Sequence, residues 1–145
     1  MDHVAIMKKS WGLLPKILSG EKVIESRWYR NRSAPWRTIA AGDTVYFKNT
    51  GEPVTVRAEV LKIVRLEGLT PGAVKAALEK YGARDGIAAA DLGSYYRRFN
   101  DTRYALLIFL KDPKRVRRPF FIDKTGFGAM AAWISVDDVA KIIKG

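Results

Sequence analysis

The segment spanning residues 54–66 constrains the fold most. Val54, Val56, Ala58 and Val60 alternate with Thr55, Arg57 and Glu59, the period-two pattern of a half-buried strand. Beyond Val60 the apolar positions change phase, first to Leu61 and Ile63, then to Val64 and Leu66. A one-residue slip turns a strand's apolar face outward, so a bulge or bend is expected inside this segment. Bends of this kind let a sheet curl into a barrel. A second run, residues 103–111, carries the continuous core Tyr-Ala-Leu-Leu-Ile-Phe-Leu and predicts a strand covered on both faces.

The remaining elements follow from local signals. Residues 3–7 form a short apolar run that can start a sheet. Leu13, Leu14, Ile17 and Leu18 give one apolar helical face, with Ser10 as a candidate cap and Pro15 tolerable only in the first turn. Gly20 ends that helix, and residues 22–29 read as a strand. Ala41-Gly42-Asp43 turns the chain into a strand at 44–48. Thr70 caps a helix opened by Pro71 and stopped by Gly82, and Asp91 is a candidate cap for a short helix reaching Phe99. Residues 111–118 read as a basic loop around Pro113, with 119–123 returning as a strand. Ser135 is expected to cap a last helix, with Asp137 and Asp138 in its first turn. No repeat or linker interrupts the 145 residues, and 48% hydrophobic content supports a core, so one domain over 1–145 is expected.

Candidate functional residues concentrate early. Around the predicted strand at 22–29, Lys22, Glu25 and Arg27 are followed by Arg30, Arg32 and Arg37, interleaved with Trp28, Tyr29 and Trp36. Glu25 and Arg27, two apart on a strand, share a face. Cations mixed with aromatic rings suit phosphate neutralisation and base stacking; the same residues also suit a solvated ion pair and tryptophan packing. Lysine and arginine total 26 against 15 acids, a net charge of +11, which favours polyanionic partners and also keeps a protein soluble. Further basic groups lie at Arg97 and Arg98 beside tyrosines, and at Arg115 and Arg117 in the 111–118 segment. There is no cysteine, which excludes disulfides, thiolate metal sites and cysteine nucleophiles. The one histidine, His3, leaves Ser-His-Asp chemistry only if this residue supplies the base. No cofactor or metal is implied, no signal peptide is evident, and no apolar run is long enough to span a bilayer, so a cytoplasmic location away from membranes is expected.

Gly20, Lys22, Glu25 and Arg27 spell G-x-K-x-x-E-x-R between a helix and a strand. With Ile-Leu-Ser-Gly-Glu-Lys before Glu25, Ala-Gly-Asp-Thr-Val-Tyr-Phe-Lys after it and Gly-Phe-Gly-Ala-Met-Ala-Ala-Trp-Ile near the end, the chain resembles the ASCH family of the PUA-like superfamily, archaeal-type members in particular. The resemblance implies an α+β fold, a small mixed PUA-like β-barrel with flanking helices. It implies a cleft floored by Lys22, Glu25 and Arg27 and walled by the Trp36 loop and the 126–128 glycines, Gly126 among them. It also implies binding of RNA or modified nucleotides. Some ASCH relatives are amidohydrolases on acylated cytidine, and ribonuclease activity has been proposed within the family. That second reading would give Lys22 and Glu25 catalytic roles, with Glu79 a loose match to the family's distant acid. Glu25 stands where those hydrolases carry a threonine nucleophile, which removes the hydroxyl. Lys22 lies an odd number of residues from Glu25 and Arg27, so sharing their side requires Lys22 to sit in the turn before the strand.

Overall fold

The computed structural model describes residues 1–33 and 35–144. Ala34, inside the expected 31–41 loop, and Gly145 lie outside the described residues. Strands β1 (Asp2–Met7), β2 (Ile24–Tyr29), β3 (Thr44–Asn49), β4 (Val54–Leu66), β5 (Tyr104–Ile122) and β6 (Trp133–Val136) form one sheet in the order β2-β5-β4-β3-β1-β6, and a short β7 (Ile143–Lys144) pairs with β5. Among the described residues only β1 and β3 run parallel, so the sheet is mixed, and it curls into a half-barrel with β2 and β6 as its edges. Helices α1 (Leu13–Ser19), α2 (Pro71–Tyr81) and α3 (Leu92–Phe99) flank it.

The phase slip in β4 is a bulge, as expected. The β4–β5 ladder shifts register between Val60 and Lys62, and Leu61 is left 51% exposed. Phe47, Val56, Ala58, Val60, Leu106, Ile108 and Leu110 fill the interior against Leu13, Leu14 and Ile17 of α1. A second cluster, Val4, Val54, Ile122, Ile134, Val139 and Ile142, is separate from this one, and alternation along β1 divides the two: Val4 belongs to the second, Ala5 and Met7 to the first.

Three local expectations are corrected. The basic 111–118 segment is not a loop: β5 runs unbroken from Tyr104 to Ile122, because β4 supplies it a partner beyond Lys111. The last helix does not form. Ser135 lies in β6, since pairing with β1 and burial of Trp133 and Ile134 outweigh a capping signal, and Asp138 instead caps a short 3₁₀ turn at Val139–Ile142 through Ala140 N–H at 2.9 Å. Gly12, not Ser10, precedes α1, with Pro15 in the first turn. Gly82 ends α2 without a left-handed turn; a Cβ there would run into the backbone carbonyl of Leu78 and lie 2.8 Å from the end of the Leu92 side chain, so the space at this helix end suits glycine.

His3 ties β1 to β6 and to the turn that leads into β3. Its ring is fully buried between Asp43, 2.8 Å from Nε2, and Ser135, 2.8 Å from Nδ1. Trp133 Nε1 can only donate, and it lies 3.2 Å from Nδ1, so Nδ1 accepts and Nε2–H donates to Asp43. The order Ser–His–Asp is present, yet the ring is sealed from solvent and its acceptor nitrogen is shared with Trp133. Burial lowers the pKa of His3 below its ordinary value, against the attraction of Asp43. The sign follows: below about pH 6.5 the unfolded chain takes up a proton that the fold resists, so stability falls with acidification by up to about 1.4 kcal/mol per pH unit. Urea midpoints are expected to drop between pH 7.5 and pH 5, and His3→Gln to flatten that slope while lowering the plateau. A wild-type midpoint constant over this interval would contradict the assignment.

Candidate functional site

A cleft of about 480 Å³ opens at the free edge of β2. Five consecutive residues, Glu25, Ser26, Arg27, Trp28 and Tyr29, line it. Side chains of a strand alternate between faces, so consecutive residues share a hollow only where it straddles the strand's edge. Among the described residues β2 pairs with β5 alone. The carbonyls of Val23 and Tyr29 accept from β5 and its flank, so odd-numbered residues bond inward and the backbone groups of Ser26 and Trp28 face the opening.

Arg27 reaches across this opening. Its guanidinium lies over the Trp133 ring at 5.0 Å, and donates at 3.4 Å to the Ala132 carbonyl, the Met7 sulfur and the Glu25 carboxylate. Every one of these contacts is long, so the group is held in place with donor capacity to spare. The opposite wall is α3: Phe99 stacks on Trp28 at 5.4 Å, and Arg98 lies 4.7 Å over Trp11. Lys8 and Lys124 contribute positive charge to the rim. The 129–132 backbone closes the third side, drawn in by Lys124, whose ammonium donates to the carbonyls of Ala129 and Ala131 at 2.7 and 3.1 Å.

Beneath the floor runs a buried network. Lys22 sits in the turn between α1 and β2 and is 2% exposed. Its ammonium donates to the carbonyls of Ile24 and Asp85, both at 2.7 Å, and to Asp85 Oδ1 at 2.5 Å, which engages all three protons. Glu25 Oε1 lies 3.5 Å away. Asp85 Oδ2 accepts from Ser26 Oγ at 2.5 Å, and Ser26 Oγ accepts from Trp28 Nε1 at 3.0 Å. One chain of polar contacts therefore links Arg27, Glu25, Lys22, Asp85, Ser26 and Trp28 around β2. Burial pulls the Lys22 ammonium toward neutrality, but the charges of Glu25 and Asp85 overcome it and hold its pKa above the usual lysine value. Burial pushes the Asp85 carboxyl up. Gly86 has φ +78°, and a Cβ there would come within 3.1 Å of the Lys22 stem, so glycine makes room for the lysine.

The structure brings Glu25, Arg27 and Arg98 into the cleft and puts Lys22 directly behind it. It sends the other candidates elsewhere. Trp36 is buried in the main core against Tyr104, not in a cleft wall, because Ile39 and the β5 apolar run give it a packing site. Gly20 caps α1 with φ +83°. Arg30 pairs with Asp101, and Arg32 pairs with Glu67 at 2.9 Å, both outside the cleft. Arg97 is exposed on α3 and does not line the cleft. Arg115 and Arg117 border a separate hollow. Gly126, at φ +88°, does not line the cleft but belongs to the turn between Lys124 and the 129–132 wall. Glu79 is exposed on α2; the distant acid facing Lys22 is Asp85. Sequence reading missed Asp85, whose only local signal is the Asp-Gly turn dipeptide, and it missed Trp11, Phe99 and Lys124.

No family model matches the chain, and no curated protein does. Solved structures do. An ASCH protein from Zymomonas mobilis superposes with a TM-score of 0.67 at 18% identity, over 99% of this chain and 96% of that one. A single-residue mutant of the same protein gives 0.68 at 19%, over 97% and 93%. The N-terminal domain of Staphylothermus marinus McrB gives 0.53 at 13%, over 81% and 75%. At these identities the likeness is one of fold.

Proposed function

From the ASCH-domain, PUA-like fold of this chain, we propose that the protein binds nucleic acid, RNA foremost, by admitting one unpaired or modified nucleotide to the β2-edge cleft. The carrying observation is the juxtaposition there of a carboxylate, an under-used guanidinium and stacked aromatic rings in a hollow of about 480 Å³. That volume lies in the range of small-molecule sites, roughly 300–1,000 Å³. Glu25 accepts from the donor edge of a base, Arg27 donates to a carbonyl or phosphate oxygen, and the open backbone of Ser26 and Trp28 adds a donor and an acceptor. Lys8, Arg98 and Lys124 carry the phosphates. The Lys22–Asp85 network stands behind this floor and orients both ends of it. The hydrolase reading asks Lys22 to act as a base, whereas its three protons are engaged and it is shut away from the cleft.

Loss of one base–aromatic stack costs about 1–3 kcal/mol. Trp28→Ala is therefore expected to weaken binding of a short single-stranded RNA about tenfold or more, read by fluorescence anisotropy at fixed salt. Lys8→Ala, at the exposed rim, is expected to reduce the salt slope by about 0.7. Unchanged affinity and slope in both variants would refute the cleft as the nucleotide site.

A further inference from the structure

The basic stretch of β5 is deformed in a way that its pairing makes plain. The ladder advances from Val54 to Val56 on β4 while β5 advances from Phe120 back to Arg115. The three extra residues on β5 make a buckle around 116–119. Arg117 and Arg118 ride on this buckle, Lys114 and Arg115 lie in the paired stretch beside it, and with Arg57 of β4 these four surround a hollow of about 390 Å³ also lined by Tyr46 and Phe120, which meet edge-on at 5.9 Å.

The charges in this hollow are not satisfied by the fold. All five cations are exposed, and among the described residues none has a carboxylate within ion-pair distance, in contrast to Lys9, Arg30, Arg32, Lys111 and Lys141 elsewhere on the surface. Arg57 and Lys114 are direct cross-strand partners. Like charges placed opposite each other weaken a ladder, so this arrangement costs stability and gains only from an external anion. The hollow shares no lining residue with the β2-edge cleft. Both nevertheless border the second hydrophobic cluster: Ile6 lines the cleft and packs on that cluster, as do Tyr46, Val116 and Phe120 from the basic hollow. Tyr46 of the basic hollow and Thr50 of the cleft lie four residues apart in sequence, Tyr46 on β3 and Thr50 in the turn that follows it.

We propose that the β5 buckle is a second, independent contact for the phosphate backbone of a nucleic-acid duplex, gripping the paired stem that flanks the nucleotide in the cleft. The placement of the stem rests on the cleft reading; the phosphate contact does not.

The test uses the whole chain and the fourfold variant Lys114→Gln, Arg115→Gln, Arg117→Gln, Arg118→Gln, whose targets are exposed and without ion-pair partners. Probes are an RNA stem-loop, the matching DNA hairpin, an RNA trinucleotide and phosphatidylserine vesicles. Each phosphate neutralised on a duplex contributes about 0.9 to the slope of log K against log salt. The fourfold variant is expected to reduce that slope on one or both stems by about 3 and to leave trinucleotide affinity unchanged. An unchanged slope on both stems overturns the proposal, as does a variant that loses vesicle binding while keeping its stems. Arg27→Ala separates the two readings: retained trinucleotide affinity in that variant sinks the cleft while a slope still sensitive to the four glutamines upholds the buckle.

Discussion

Asp85→Ala is expected to destabilise the protein by about 3–5 kcal/mol, the cost of leaving a buried charge without its partner. Lys22 and Asp85 are both almost fully buried and their charged atoms lie 2.5 Å apart. Removing the carboxylate strands the Lys22 ammonium with two carbonyls and Glu25, and takes the acceptor from Ser26. For a chain of this size such a loss lowers Tm by roughly 10–16 °C, measurable by calorimetry at pH 7. The double variant Lys22→Met, Asp85→Leu is expected to be less destabilised than the sum of its singles, because apolar pairs replace buried ion pairs at little cost. The pH dependence carries the same sign. Lys22 has its pKa raised above the unfolded value, so its contribution is whole below about pH 10.5 and is lost as pH climbs through the folded-state value. Asp85→Ala should move this alkaline limit down. A single variant within about 1 kcal/mol of wild type would show that the pair is not a structural anchor.

Arg27→Ala is expected to lower RNA affinity by about 10- to 100-fold, the worth of one charge-assisted hydrogen bond at roughly 1.5–3 kcal/mol. Its present contacts, all at 3.4 Å with a ring at 5.0 Å, are too loose to hold much of the fold's stability. The melting temperature should therefore move little while affinity falls, as equilibrium titration beside thermal denaturation would show. Arg27→Lys should recover only part of the loss, since an ammonium offers neither the planar fork nor the stacking surface of a guanidinium. Affinity retained in Arg27→Ala would remove the central cation from the site.

Much of this architecture is legible in linear order. Helix α1 is bounded by its apolar spacing and by glycine, α2 by Thr70 and Pro71, and the β4 bulge by a change of apolar phase at Leu61. These signals are local: each residue's preference is set by neighbours within a turn or a pleat. Errors arose where a distant partner changed the answer. Residues 111–118 look like a loop by charge, yet β4 pairs with them; Ser135 looks like a cap, yet β1 claims it for the sheet. Trp36 looks available to a ligand, yet the core takes it.

The candidate site divides in the same way. The motif residues Lys22, Glu25 and Arg27 stand out in the sequence by type and spacing, and so does the excess of positive charge. Their roles do not. The fold buried Lys22 and brought Asp85 to it from 63 positions away. It also made an opening at the β2 edge out of residues that a strand alone would divide between two faces. Short-range preferences are written in the chain because they need only adjacent atoms. Which charges meet, which stay unpaired and which strand edge lies open depend on contacts that exist only once the sheet has curled.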